Sequence, residues 1–114
     1  MRARIERFVE PALLLLLAER PMHGYELLER RPELAREERR VDLGNLYRLL
    51  RSLEEEGIVS SEWDERLPGP AKRTYRLTES GGNLLDAWAA ALADARDVVS
   101  AFIDRYDRRE GVST

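Results

Sequence analysis

Cysteine is absent from this chain and histidine occurs once, at His23. The first absence excludes disulfide scaffolds, thiolate metal sites and cysteine nucleophiles. The second leaves little material for imidazole-based metal or acid–base sites. Long apolar runs are missing too: even Ala12 to Ala18 falls far short of the roughly 20 residues of a membrane-spanning helix. No signal-peptide cleavage pattern follows it. No nucleophile–base pair, phosphate-binding loop or metal triad can be assembled from the motifs present. The expectation is therefore a cytoplasmic protein that is not an enzyme, needs no cofactor or metal and does not enter a membrane. Lysine is nearly missing as well, because Lys72 is the one lysine among 19 basic residues. Arginine's planar fork suits bidentate contact with phosphate or guanine, although such a bias also follows genome composition.

A surplus of positive charge is also lacking, since the formal net charge is -3 over 114 residues. Its location matters more than its sum. Basic against acidic residues run 11 to 12 over positions 1–57, 4 to 3 over 58–77 and 4 to 7 over 78–114. The excess acid thus lies in the last segment, and a local basic face remains open to the first two-thirds. That length corresponds to one modest core.

Val41 to Gly57 is the best-defined stretch. Leu43, Leu46, Tyr47, Leu50 and Leu53 recur at three- and four-residue steps and predict one apolar helix face. Asn45, Arg48, Leu49 and Ser52 form the outward row, whose polar members can bond base edges and phosphates. Asp42 is placed to cap the first turn, and Gly57 to end the last in a left-handed conformation. Arg51 can pair with Glu54 or Glu55 on the helix surface.

Before it, Ile5, Phe8, Val9 and Leu13 to Leu17 predict a first helix buried on most sides, with Pro11 in its first turn and residues 1–10 as an arm or separate turn. Glu19-Arg20-Pro21 breaks it. Met22 to Leu28 opens a second helix that ends before Pro32, and residues 33–40 read as a solvated loop or turn. Three helices with short joints match a helix-turn-helix layout. After Gly57, Ile58–Trp63 and Lys72–Leu77 alternate as two strands around Pro-Gly-Pro and predict a two-stranded wing, with Trp63 a core residue at a strand end. Arg66, Lys72, Arg73 and Arg76 lie beside its turn, where groove or phosphate contact is available. Thr78 is an N-cap candidate for a helix reaching about Arg109. Along that helix Leu85, Trp88, Leu92, Ala95, Val99, Phe102 and Tyr106 step by heptad spacing. One small domain cannot bury so long a stripe, so a second subunit is expected against it; Gly111 to Thr114 should fray.

The run LLLLLAERPMHGYELLER, then GNLYRLLRSLEEEGIVSSEW, then PGPAKRTYRLTESG, resembles the PadR family of bacterial transcriptional regulators over about residues 10–88. The resemblance implies a winged-helix domain joined to a C-terminal dimerisation helix. It also implies a homodimeric repressor on a palindromic operator in double-stranded DNA, released by a small-molecule or other effector. Gly44, Leu46 and Tyr47 match the recognition-helix motif, in which the tyrosine is similar to a phosphate contact, and Lys72 and Arg73 match the basic pair of the wing. Trp88 falls where small relatives with one C-terminal helix place a tryptophan near the dimer cavity, which makes it a possible ligand-binding residue as well as a seam residue. This chain departs from the family at Asp42, Leu43, Asn45 and Arg48, where serine-proline, threonine and a further proline are common.

Together these features predict a mainly α fold with a small β-wing. Residues 1–77 would form a winged helix-turn-helix domain, its wing at 58–77, and 78–110 a dimerisation helix. Asn45, Tyr47, Arg48, Arg51, Ser52, Lys72 and Arg73 are the candidate DNA contacts. Leu85, Trp88, Leu92, Val99, Phe102 and Tyr106 are the candidate dimer contacts. A winged-helix adaptor that dimerises the same way but binds protein instead of specific DNA is the alternative.

Overall fold

The computed structural model describes residues 8–30, 43–66 and 72–112. Helix α1 (Val9–Glu19) carries Pro11 in its first turn, where a missing amide hydrogen breaks no intrahelical bond. Pro11, Ala12, Leu13, Leu14, Leu16 and Leu17 are buried. Leu15, however, is 42% exposed and Ala18 also faces out, so the all-leucine run keeps an open strip that its composition concealed. Arg20 ends the helix in extended conformation, its amide still donating to the Leu16 carbonyl at 3.3 Å.

Met22 and His23 depart from the sequence reading. They form a short strand, β1, and helix α2 begins only at Gly24 and runs to Arg30. β1 pairs antiparallel with β3 (Lys72–Leu77), Met22 opposite Tyr75 and His23 opposite Thr74. The expected two-stranded ribbon is therefore a three-stranded sheet in the order β1-β3-β2, with β2 at Val59–Asp64. Pro21 leaves the next residues extended, and β3 offers them the hydrogen bonds that a helix would have supplied. Residues 1–7 with Ile5, residues 33–40, Asp42 and the turn at Pro68-Gly69-Pro70, which carried sequence expectations, lie outside the described residues.

Helix α3 (Leu43–Glu55) packs on this frame through Leu46, Leu50 and Leu53, all essentially inaccessible. Burying each such side chain contributes about 1.5–3 kcal/mol. They join Leu13, Leu14, Leu16, Leu17, Met22, Leu27, Val59 and Tyr75 in one core. Leu49, expected in the outward row, is half-buried against that core. The end of α3 is a Schellman turn. Gly57 stands at φ 77° and donates to the Glu54 carbonyl at 3.0 Å, while the Ile58 amide reaches back to Leu53 at 2.9 Å.

Helix α4 (Glu79–Val112) starts from the same turn. The Thr78 hydroxyl caps it, accepting the Gly81 amide at 3.0 Å, and lies 2.9 Å from the Ile58 carbonyl. That carbonyl also accepts the Thr78 amide at 3.1 Å. The helix continues through Gly111 and Val112, beyond the expected fraying point. Its first turns cover α1, with Leu84, Leu85 and Trp88 packed against the core. Among the described residues no helix is long and apolar enough to cross a membrane.

Candidate nucleic-acid interface

Because α3 is pinned by three leucines on one side, the other side is held out to solvent as a row. Asn45, Arg48, Arg51 and Ser52 are all exposed, at spacings that stack them along the helix. The Arg48 guanidinium donates to the Asn45 side-chain carbonyl through Nη2 at 2.7 Å. Among the described residues no ion pair joins Arg51 to Glu54 or Glu55, the two partners anticipated; the Glu54 carboxylate accepts the Ser61 hydroxyl at 2.9 Å.

Tyr47 sits between the two faces. It is 37% exposed, and its ring lies over Gly24, where an added methyl group would approach the hydroxyl to 2.7 Å. The ring therefore wedges α3 against the first residue of α2, with an edge left to solvent. Neighbouring Tyr75 is buried, and burial, reinforced by the nearby Tyr47 and Glu54, raises its phenol above the usual range.

The wing differs from expectation. Trp63 is no core residue: it is 58% exposed. β2 and β3 run past the hydrophobic core, so the inward alternation Val59, Ser61, Trp63 ends in solvent. Arg73 lies opposite Trp63 in the ladder, and its guanidinium carbon stands 4.6 Å from the indole centroid. The same guanidinium donates to Ser61 Oγ at 2.8 Å. Glu54, Ser61, Arg73 and Trp63 thus form one chain across α3, β2 and β3. Arg73 is placed as a strut between α3 and the wing, a role that the spacing of basic residues did not show.

Lys72 begins β3 opposite Asp64; only its backbone lies within the described residues. Arg66 is bound to Asp64 at 3.0 Å, and this hydrogen bonding holds the Asp64 carboxyl below its usual range. Arg76 is exposed on the outer face of the ribbon. Among the described residues no cluster of His, Asp and Glu could hold a metal ion.

The heptad residues of α4 divide into two groups. Leu85 and Trp88 are half-buried against their own chain, and the Trp88 indole Nε1 donates to Glu10 Oε2 at 2.8 Å. Leu92 is half-buried. Beyond it Val98, Val99, Phe102, Ile103 and Tyr106 are open, Phe102 to 71%. The guanidinium carbon of Arg109 lies 5.3 Å from the Tyr106 ring. Sequence reasoning missed Glu10, which stands 78 positions from its partner.

An exposed polar row on a helix packed against a helix-turn-helix core, with an antiparallel wing behind it and a long helix leading away, defines a winged helix-turn-helix protein. The chain belongs to the transcriptional regulator PadR-like family, whose model matches residues 13–87. That is a family of transcription regulators rather than enzymes. Among solved structures, the chain is similar to a conserved protein of unknown function described as a potential transcriptional factor. They share 35% identity over 95% of this chain and 96% of the other, with a TM-score of 0.78. A candidate transcriptional regulator from Thermoplasma acidophilum shares 30% identity over 86% of this chain and 92% of its own, TM-score 0.71. Bacillus subtilis PadR, solved in complex with operator DNA, matches at 25% identity and TM-score 0.63 over 73% of this chain and 48% of that one. No curated protein matches the sequence.

Proposed function

We propose that this chain is a sequence-specific DNA-binding repressor that acts as a homodimer on a palindromic operator. Residues 1–77 serve as the DNA-binding unit and 78–110 as the dimerisation helix. The observation that carries the reading is the exposed row Asn45, Arg48, Arg51 and Ser52 on a helix anchored by the buried leucines behind it. The likeness to a PadR protein solved with operator DNA supports it.

In this reading α3 enters the major groove, where side-chain forks contact base edges. Arg51, Tyr47 and the wing's Lys72 contact phosphates, set the register and make affinity fall steeply with salt. Two such helices must meet successive groove faces about 34–36 Å apart. The open apolar stripe from Val98 to Tyr106, continuous with Leu92, supports pairing of two α4 helices that sets this spacing. A small-molecule or other effector releases DNA by favouring one arrangement of the two subunits, with Trp88 the residue nearest a small-molecule site. The cytoplasm is the compartment that this role requires.

Electrophoretic mobility shift with the DNA upstream of the chain's own gene is the test. Salt-sensitive binding that survives competition by unrelated DNA is expected. Its absence would overturn the repressor reading in favour of a protein-binding adaptor.

A further inference from the structure

We infer that Asn45 and Arg48 form one reading unit for a guanine, in which Asn45 is a positioning residue for Arg48 instead of a second base reader. The inference rests on the DNA-binding reading and narrows it. Both residues stand on the outward row of α3, three positions and one turn apart, and both are exposed. Arg48 Nη2 donates to Asn45 Oδ1 at 2.7 Å, the short separation typical of a charge-assisted hydrogen bond.

An arginine on an exposed helix otherwise samples many rotamers, and an ordered guanidinium loses less freedom when it docks. The amide carbonyl supplies that order. What the tethered guanidinium keeps for a partner is donors alone. Guanine is the base whose major-groove edge offers two acceptors, O6 and N7, matched to an arginine fork. Adenine would ask something else of Asn45. Its recognition uses the side-chain carbonyl to accept the N6 amino proton while the amide nitrogen donates to N7. Here one lone pair of that carbonyl already holds a cation, whose positive charge opposes the approach of a second donor such as the N6 amino group to the other. The pair is therefore suited to guanine, and the two side chains should control one base pair, not two.

Selection of binding sites by the full-length chain from a random duplex library, at one fixed salt concentration, tests this. Four proteins are compared: wild type, Arg48→Ala, Asn45→Ala and Asn45→Asp. Wild type should enrich a site with a guanine that Arg48→Ala no longer selects. Asn45→Ala should weaken preference at that same position, by about tenfold, and leave the other positions alone. Asn45→Asp keeps an acceptor for Arg48 but lacks the donor that adenine reading needs. It should restore the guanine preference even as the added charge lowers total affinity. Relaxation of a separate adenine position by Asn45→Ala, or failure of Asn45→Asp to rescue the guanine, would overturn the inference while leaving DNA binding intact. If the wild type itself enriches no sequence, the DNA-binding reading falls, and the inference with it.

Discussion

The ring of Tyr47 closes over Gly24 so tightly that a methyl group there would stand 2.7 Å from its hydroxyl and 2.9 Å from two ring carbons. One residue of α3 is thereby locked to the first residue of α2. The missing side chain of Gly24 is the space that the tyrosine fills.

Gly24→Ala should therefore force the ring out and shift α3 against α2. Overpacking of this kind costs about 1–3 kcal/mol, read as a lower urea or thermal midpoint. Tyr47→Ala in the same chain removes the obstacle, so the double variant should lose clearly less than the sum of the single losses. Simple additivity would show that the two residues do not meet.

Salt dependence separates the basic residues. Lys72→Ala should weaken binding to all DNA sequences similarly and reduce the slope of log affinity against log salt by about 1. Arg73→Ala should leave that slope nearly unchanged, because its guanidinium is held by Ser61 and Trp63. It should instead alter Trp63 fluorescence, recorded in a Trp88→Phe background. Equal changes in slope for the two variants would mean that Arg73 leaves its strut to reach phosphate.

Val99→Asp and Leu92→Asp place charge in the stripe proposed to pair between subunits. Sedimentation should show Val99→Asp as a monomer with its helical content largely kept, since Val99 is open within its own chain. Leu92→Asp should also dissociate the pair, with an added cost to the fold because Leu92 is half-buried. An unchanged dimer in both variants would rule out this packing.

Acid sensitivity should trace to Glu26. A hydrogen bond from Arg20, joined by the charges of Arg20, His23 and Arg30, holds its carboxyl below the ordinary value. A carboxyl lowered on folding stabilises the native state above its unfolded pKa of about 4.3. That contribution is lost as pH falls through the lower folded value. Glu26→Gln should lower the thermal midpoint at pH 6, and the gap from wild type should shrink between pH 5 and pH 3. A gap independent of pH would assign the loss to packing.

What could be read in advance followed the range of the interactions. α3 carried its own punctuation: leucines at helical spacing, a glycine at the stop and polar residues between. Thr78 announced α4 for the same reason, since a cap acts within one turn. β1 could not be anticipated, because Met22 and His23 are strand only by virtue of Tyr75 and Thr74, some fifty positions away. Trp63 misled because alternation shows which side of a ribbon a residue takes but not how far the core extends beneath it. Arg73 read as a wing cation, yet its partners are fixed by the strand register that sets it opposite Trp63. The Trp88–Glu10 bond joins two helices from opposite ends of the chain.

Thr78 joins the Gly57 and Ile58 carbonyls, just past the end of α3, to the Gly81 amide in the first turn of α4 with one side chain. The two helices consequently share a fulcrum. From it α4 extends about 40 Å to Tyr106 at 1.5 Å per residue, a lever arm much longer than α3. A tilt of a few degrees at that joint sweeps the far end by several ångströms. Conversely, whatever grips α4 near Phe102 holds the tilt of α4 against α3 with high mechanical advantage.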